Sequence, residues 1–127
     1  MKYGFSKSVN LSYDASVAKV TDELKKEGFG VLTTIDVKET LKKKLDVDFK
    51  RYVILGACNP PFAHKALQAE EEIGLLLPCN VIVYEKNGGA VVSAFDPITM
   101  TAIVENPTIR SVAEEIRMRL KNVIERM

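Results

Sequence analysis

In the stretch Val81-Ile82-Val83-Tyr84-Glu85-Lys86-Asn87-Gly88-Gly89-Ala90-Val91-Val92-Ser93-Ala94-Phe95, two β-rich runs, Val81 to Tyr84 and Ala90 to Phe95, flank residues that readily take positive φ. That chemistry predicts an antiparallel hairpin. Upstream, Tyr52 to Ala57 is a short, mostly apolar run bounded by Gly56 and a proline pair, as a central strand would be. Asn59 followed by Pro60 and Pro61 marks a helix start, because a first-turn proline lacks an N–H that would have had no partner there. The helix runs on through Phe62, Ala66 and Ala69. Its end lies either at Gly74, inside Ile73-Gly74-Leu75-Leu76-Leu77, or at Pro78.

Toward the N-terminus, Tyr3, Phe5 and Val9 alternate as in a first strand that ends near Asn10. Ser12 or Asp14 then caps a helix with Val17, Val20 and Leu24 on one face and Gly28 after it. Phe29 to Ile35 reads as a second strand. Asp36, with Glu39 three residues on, forms a capping box that opens a short helix, and Val37, Leu41 and Leu45 are expected on its inner face. Lys42, Lys43 and Lys44 lie around its outer side, as a solvated face does. Beyond the hairpin, Asp96-Pro97 ends the last strand and a less regular stretch continues through Val104. Pro107-Thr108 then starts a terminal helix in which Ile109, Val112, Ile116, Leu120 and Val123 recur at spacings of three or four. The summed order predicts one α+β domain over residues 1–127, a mainly antiparallel sheet with helices packed on it.

The totals bound the function. A chain of 127 residues that is 46% hydrophobic and 28% charged is an ordinary globular domain able to bury its own core. Its formal net charge of +1 provides no field to draw in nucleic acid or an anionic membrane. Met1 to Lys7 lacks the apolar run of a signal peptide and no segment reaches membrane-spanning length, so a cytoplasmic protein is expected. In that compartment two cysteines are thiols or metal ligands rather than a disulfide.

P-loop, dinucleotide, paired His-Glu metal and nucleophile-elbow motifs are all missing, which leans the reading away from an enzyme and toward the cysteines. Cys58 and Cys79 are each followed by Asn, at the two ends of the helical crossover, with the spacing C-x20-C. An unbroken helix of about seventeen residues between them would carry the chain roughly 25 Å. A helix of only about ten residues with a turn at Gly74 would let Cys58, Cys79 and an Asn share one cleft. The expected ligand-binding set is therefore Cys58, Asn59, Cys79 and Asn80, with Asp36 and Asp96 added because both end strands. His64, the sole histidine, lies in the first turns of the helix after Cys58, so Cys58, Cys79 and His64 form the metal-ligand set, suited to zinc or another soft metal. The nearby helix N-terminus is expected to lower the Cys58 pKa. The alternatives remain open: cysteines are often buried for packing, Asp36 and Asp96 can serve as caps, and Asn59 and Asn80 can bond locally.

Gly28-Phe29-Gly30-Val31-Leu32, Ile35-Asp36-Val37, Thr40-Leu41-Lys42, Ile54-Leu55-Gly56-Ala57-Cys58-Asn59-Pro60, Ile73 to Val81, and Asp96-Pro97 with Met100 together resemble the bacterial and archaeal domain-of-unknown-function 302 family, over nearly the whole chain. The resemblance implies a curved, mainly antiparallel sheet with helices on one face, similar to the TATA-binding-protein arrangement, and a homodimer. It implies no activity and no catalytic residues. Three readings follow: a non-catalytic domain that binds a small molecule or metal beside Cys58-Asn59 and Cys79-Asn80, a thiol-dependent redox protein, and a homodimeric interaction protein with structural cysteines.

Overall fold

The computed structural model describes residues 2–127. The elements run β1 (Gly4–Val9), α1 (Tyr13–Lys26), β2 (Gly30–Asp36), α2 (Val37–Leu45), β3 (Tyr52–Cys58), α3 (Pro60–Ala69), a 3₁₀ turn (Glu71–Leu76), β4 (Cys79–Lys86), β5 (Gly89–Phe95), a second 3₁₀ segment (Pro97–Ala102) and α4 (Pro107–Glu125). Local chemistry sets most of these boundaries. The Ser12 hydroxyl accepts the Ala15 N–H at 3.1 Å to cap α1, and the Asp36 carboxylate accepts the Glu39 N–H at 2.9 Å to cap α2. Gly28 follows α1 with φ +86°. Between β4 and β5, Asn87 and Gly88 take φ 50° and 78°, and Lys86 pairs directly with Gly89. Positive φ at both central residues makes this a two-residue type I′ turn, whose twist matches the flanking strands.

The strands form one sheet in the order β1-β5-β4-β3-β2, with every neighbouring pair antiparallel. The first two strands thus occupy opposite edges, and α1 crosses the sheet between them. α1 packs on β4 and β5, and α4 lies beside it on β5 and β1. Between them and the sheet, Val20, Leu24, Val81, Val83, Val92, Leu120 and Val123 are completely excluded from solvent and make the centre of the core. On the opposite sheet face, Ile35, Ile54 and Ile82 lie in register across three strands, beside Tyr52 and Tyr84, whose rings stack at 5.3 Å. No helix among the described residues is long and apolar enough to cross a membrane.

One expectation is corrected. None of the α2 residues is buried, and Leu45 is 66% exposed. α2 packs on β2 and β3 at the edge of the sheet, while α1 and α4 hold the central positions, so the stripe Val37-Leu41-Leu45 has little core to enter.

The end of α1 is tied to distant parts of the chain. The buried Glu23 carboxylate accepts from Lys26 at 2.6 Å and from Arg126 at 3.0 Å, and Arg126 also reaches Glu27 at 2.9 Å. The Glu27 carbonyl receives Arg119 and the Asn59 amide, each at 3.1 Å. Hydrogen bonds from Lys26 first and Arg126 second hold the Glu23 carboxyl below its ordinary value, against the opposing effect of burial. A lowered folded pKa means that the stability from this group is present above the ordinary value of 4.5 and is lost as pH falls through the folded value. Urea midpoints of wild type and Glu23→Gln should therefore differ at neutral pH and converge in acid. A gap that stays constant with pH would refute the linkage.

Candidate functional site

The crossover between the two cysteines is short because α3 spans only ten residues. Glu70, extended at φ −151° and ψ 102°, ends the helix, and the 3₁₀ turn from Glu71 carries the chain back. The reversal thus lies at Glu70, with Gly74 inside the turn, and a cis Leu77-Pro78 bond leads into β4. β4 then pairs antiparallel with β3, so that Ala57 sits directly opposite Cys79, with Cys58 one residue farther along. The two ends of the crossover meet.

Where they meet, the molecule contains a cleft of about 360 Å³. Its floor includes Phe29, Ala57, Cys58 and Cys79. α3 contributes Phe62, Ala63, Ala66 and Leu67, the turn contributes Ile73, Gly74, Leu77 and Pro78, and α4 contributes Ile109, Val112, Ala113 and Ile116. The volume has a sequence cause. α3 packs on α4 and the 3₁₀ turn rather than closely on the strands, and among the larger lining residues Ala57, Ala63, Ala66 and Ala113 leave space unfilled. Larger side chains at these places would fill the space as close-packed interiors normally do. Leu32 and Leu67, which also line the cleft, are 67% and 40% exposed and so form its rim.

Of the expected site residues, Cys58, Asn59 and Cys79 line this cleft. Asn59 is 6% exposed, and its amide is directed to the Glu27 carbonyl, 32 positions back in the chain, instead of capping α3. Asn80, Asp36, Asp96 and His64 are not among the lining residues. Asn80 pairs opposite Gly56 with its side chain exposed. Asp36 caps α2, and Asp96 caps the second 3₁₀ segment through the Ile98 N–H at 3.1 Å while accepting Arg117 at 3.1 Å. His64 is on the exposed side of α3. Among the described residues, no three His, Cys, Asp or Glu side chains gather in an arrangement that could hold a metal ion.

The thiols are electrostatically quiet. Burial raises the Cys58 pKa, and burial followed by the charge of Cys58 pushes Cys79 up to about 11. The shift at Cys58 is thus upward, opposite to the lowering expected from the α3 N-terminus, and burial is its cause. Thiols held protonated by burial are far from the poised nucleophile that thiol exchange uses. A maleimide at neutral pH should accordingly modify the half-buried Cys58 first and slowly, and Cys79 only on unfolding. Equal fast labelling of both would contradict this assignment.

The family described as Domain of unknown function DUF302 matches residues 5–127. The chain belongs to the DUF302 family. A crystal structure of an uncharacterized conserved DUF302 protein from Bacillus stearothermophilus is similar at 30% identity and a TM-score of 0.90, covering 99% of this chain and 98% of that one. A search of curated proteins finds no match. The DUF302 assignment and the shared architecture agree with the fold built from local chemistry. Most of the cleft lining, by contrast, was not singled out from sequence. The signal for it is Ala63 and Ala66, one turn apart on α3, which read locally as nothing more than good helix composition.

Proposed function

We propose that this DUF302 domain is a non-catalytic binding protein that holds a small, largely apolar molecule in the cleft bordered by Cys58, Asn59 and Cys79. The observation that carries the reading is the cleft itself. Its volume of about 360 Å³ lies in the range of ligand pockets, roughly 300–1,000 Å³, and far exceeds the voids tolerated in a packed core. The cysteines act here as soft apolar lining. As metal donors they supply two ligands, short of the four that a structural zinc takes, which favours an organic ligand over a zinc or other soft-metal centre.

The test is titration with N-phenyl-1-naphthylamine, a neutral fluorophore that brightens in apolar surroundings. Saturable binding of one molecule per chain is expected, abolished by Ala66→Phe, which fills the cleft. Metal analysis of untagged protein runs in parallel. A stoichiometric metal lost in Cys58→Ser would replace this reading by the metal one, and absence of saturable fluorophore binding would remove it.

A second reading concerns the opposite sheet face, where Ile35 is 47% exposed beside Ile54, Ile82 and the Tyr52–Tyr84 stack. Contiguous apolar surface of this kind marks partner surfaces, and it supports a homodimer closed through that face. Sedimentation should then give twice the chain mass, reduced to one by Ile82→Asp.

A further inference from the structure

We propose that the ligand is a single-chain amphiphile, with an unbranched alkyl chain inside the cleft and its polar head outside in solvent. This rests on the ligand-binding reading above and names the class of ligand. Two features of the walls carry it.

The first is the lack of polar partners inside. Among the described residues, no charged side chain lines the cleft. The one lining amide, Asn59, already donates to the Glu27 carbonyl at 3.1 Å and is 6% exposed. What remains is two uncharged thiols, which are weak hydrogen-bonding groups, and Thr33 on the exposed part of β2. A ligand with a polar centre would leave that centre without a partner in an apolar environment, whereas a hydrocarbon loses nothing by entering.

The second is that the apolar wall continues past the mouth. Leu32 and Leu67 belong to the lining and yet are 67% and 40% exposed. A compact ligand confined to the inner volume would leave both in water. A chain longer than the cleft covers them on its way out and removes that surface from solvent as well.

With no charged group in the lining to meet it, the head is not recognised, and this separates the proposal from a site for a specific polar metabolite. Affinity should follow chain length and be indifferent to head-group charge.

The experiment uses the full chain with n-alkanols and n-alkanoates of about six to about twelve carbons, below their aggregation concentrations, displacing N-phenyl-1-naphthylamine. The rate of Cys58 modification by maleimide is a second readout. Each added methylene should tighten binding roughly fourfold, the equivalent of burying one CH₂. Alkanol and alkanoate of equal length should bind alike, and both should protect Cys58. Gly74 lines the cleft, and a Cβ built there meets only Leu67 Cδ2, at 4.0 Å. A Cβ at that position meets no close atom, so Gly74→Phe should crowd the cleft and lower affinity at least about tenfold, the melting temperature checking that the fold is kept. Leu67→Glu on the rim is the independent variant: it should weaken alkanoates more than alkanols.

If the fluorophore binds and compact apolar competitors displace it, but affinity is flat with alkyl chain length, the amphiphile assignment is wrong and the ligand-binding reading survives. A large difference between alkanol and alkanoate on the wild-type protein overturns the exposed head. Failure of the fluorophore and both series to bind removes the assignment together with the reading beneath it.

Discussion

Leu120→Ala is expected to destabilise the fold by about 2–5 kcal/mol, the range for deleting a fully buried leucine. Leu120 is completely excluded from solvent on α4, the helix that packs against β1, β5, α1 and α3. Its removal takes away the transfer free energy of the side chain and leaves a void in a close-packed core whose other members, Val123 and Val83 among them, are likewise at 0% exposure. Against a total stability of about 5–15 kcal/mol for a domain, this is a large fraction. Urea unfolding with an unchanged m-value measures it. Met118→Ala, on the same helix but 51% exposed, is the control and should stay within about 0.5 kcal/mol of wild type. Similar effects from the two substitutions would mean that α4 does not anchor the core as described.

Gly56→Ala is expected to destabilise by about 1–3 kcal/mol, through overpacking rather than cavity formation. A methyl group on this β3 glycine would overlap the Thr33 hydroxyl and lie 2.9 Å from Pro78 Cγ. The hydroxyl can rotate away, but the proline ring has little freedom, so strand and turn have to move apart. Thr33 and Pro78 both line the cleft, and fluorophore affinity should fall along with stability. Adding Thr33→Ala removes one of the two collisions and should recover part of the loss, a coupling that a double-mutant cycle reads directly. Full stability and full binding in Gly56→Ala would show that the close approach is not required.

The two substitutions probe different levels of information. The terminal helix and its apolar stripe through Leu120 follow from spacing alone, as do the Ser12 and Asp36 caps and the Asn87-Gly88 turn, because each depends on groups a few residues apart. Gly56 shows the limit of such reading. Its sequence neighbours identify a strand, but the need for glycine arises from Thr33 and Pro78, 23 and 22 positions away, which only strand pairing and the turn bring alongside it.

The same division separates α2 from its expected role. Val37, Leu41 and Leu45 have the spacing of a buried face, yet Leu45 is 66% exposed, since burial depends on which surface is still free when the helix arrives. Asn59 likewise looked like part of a paired Cys-Asn signature with a role in a local turn. Its partner is the Glu27 carbonyl across the fold.

The cleft completes the contrast. Sequence alone determined that Cys58 and Cys79 bracket a crossover with proline at its helix start, and left two outcomes according to the length of that helix. Helix termination at Ala69 and antiparallel pairing of Ala57 with Cys79 decided between them and brought the ends together. The empty volume, and the rise of the Cys79 pKa to about 11 by burial, belong to no single segment. Turns and caps are made by atoms that the chain itself keeps close, whereas a cleft is the packing left unfilled between elements brought together from distant parts of the chain. That shortfall, like the desolvation that goes with it, exists only once β3, α3 and α4 are placed against one another.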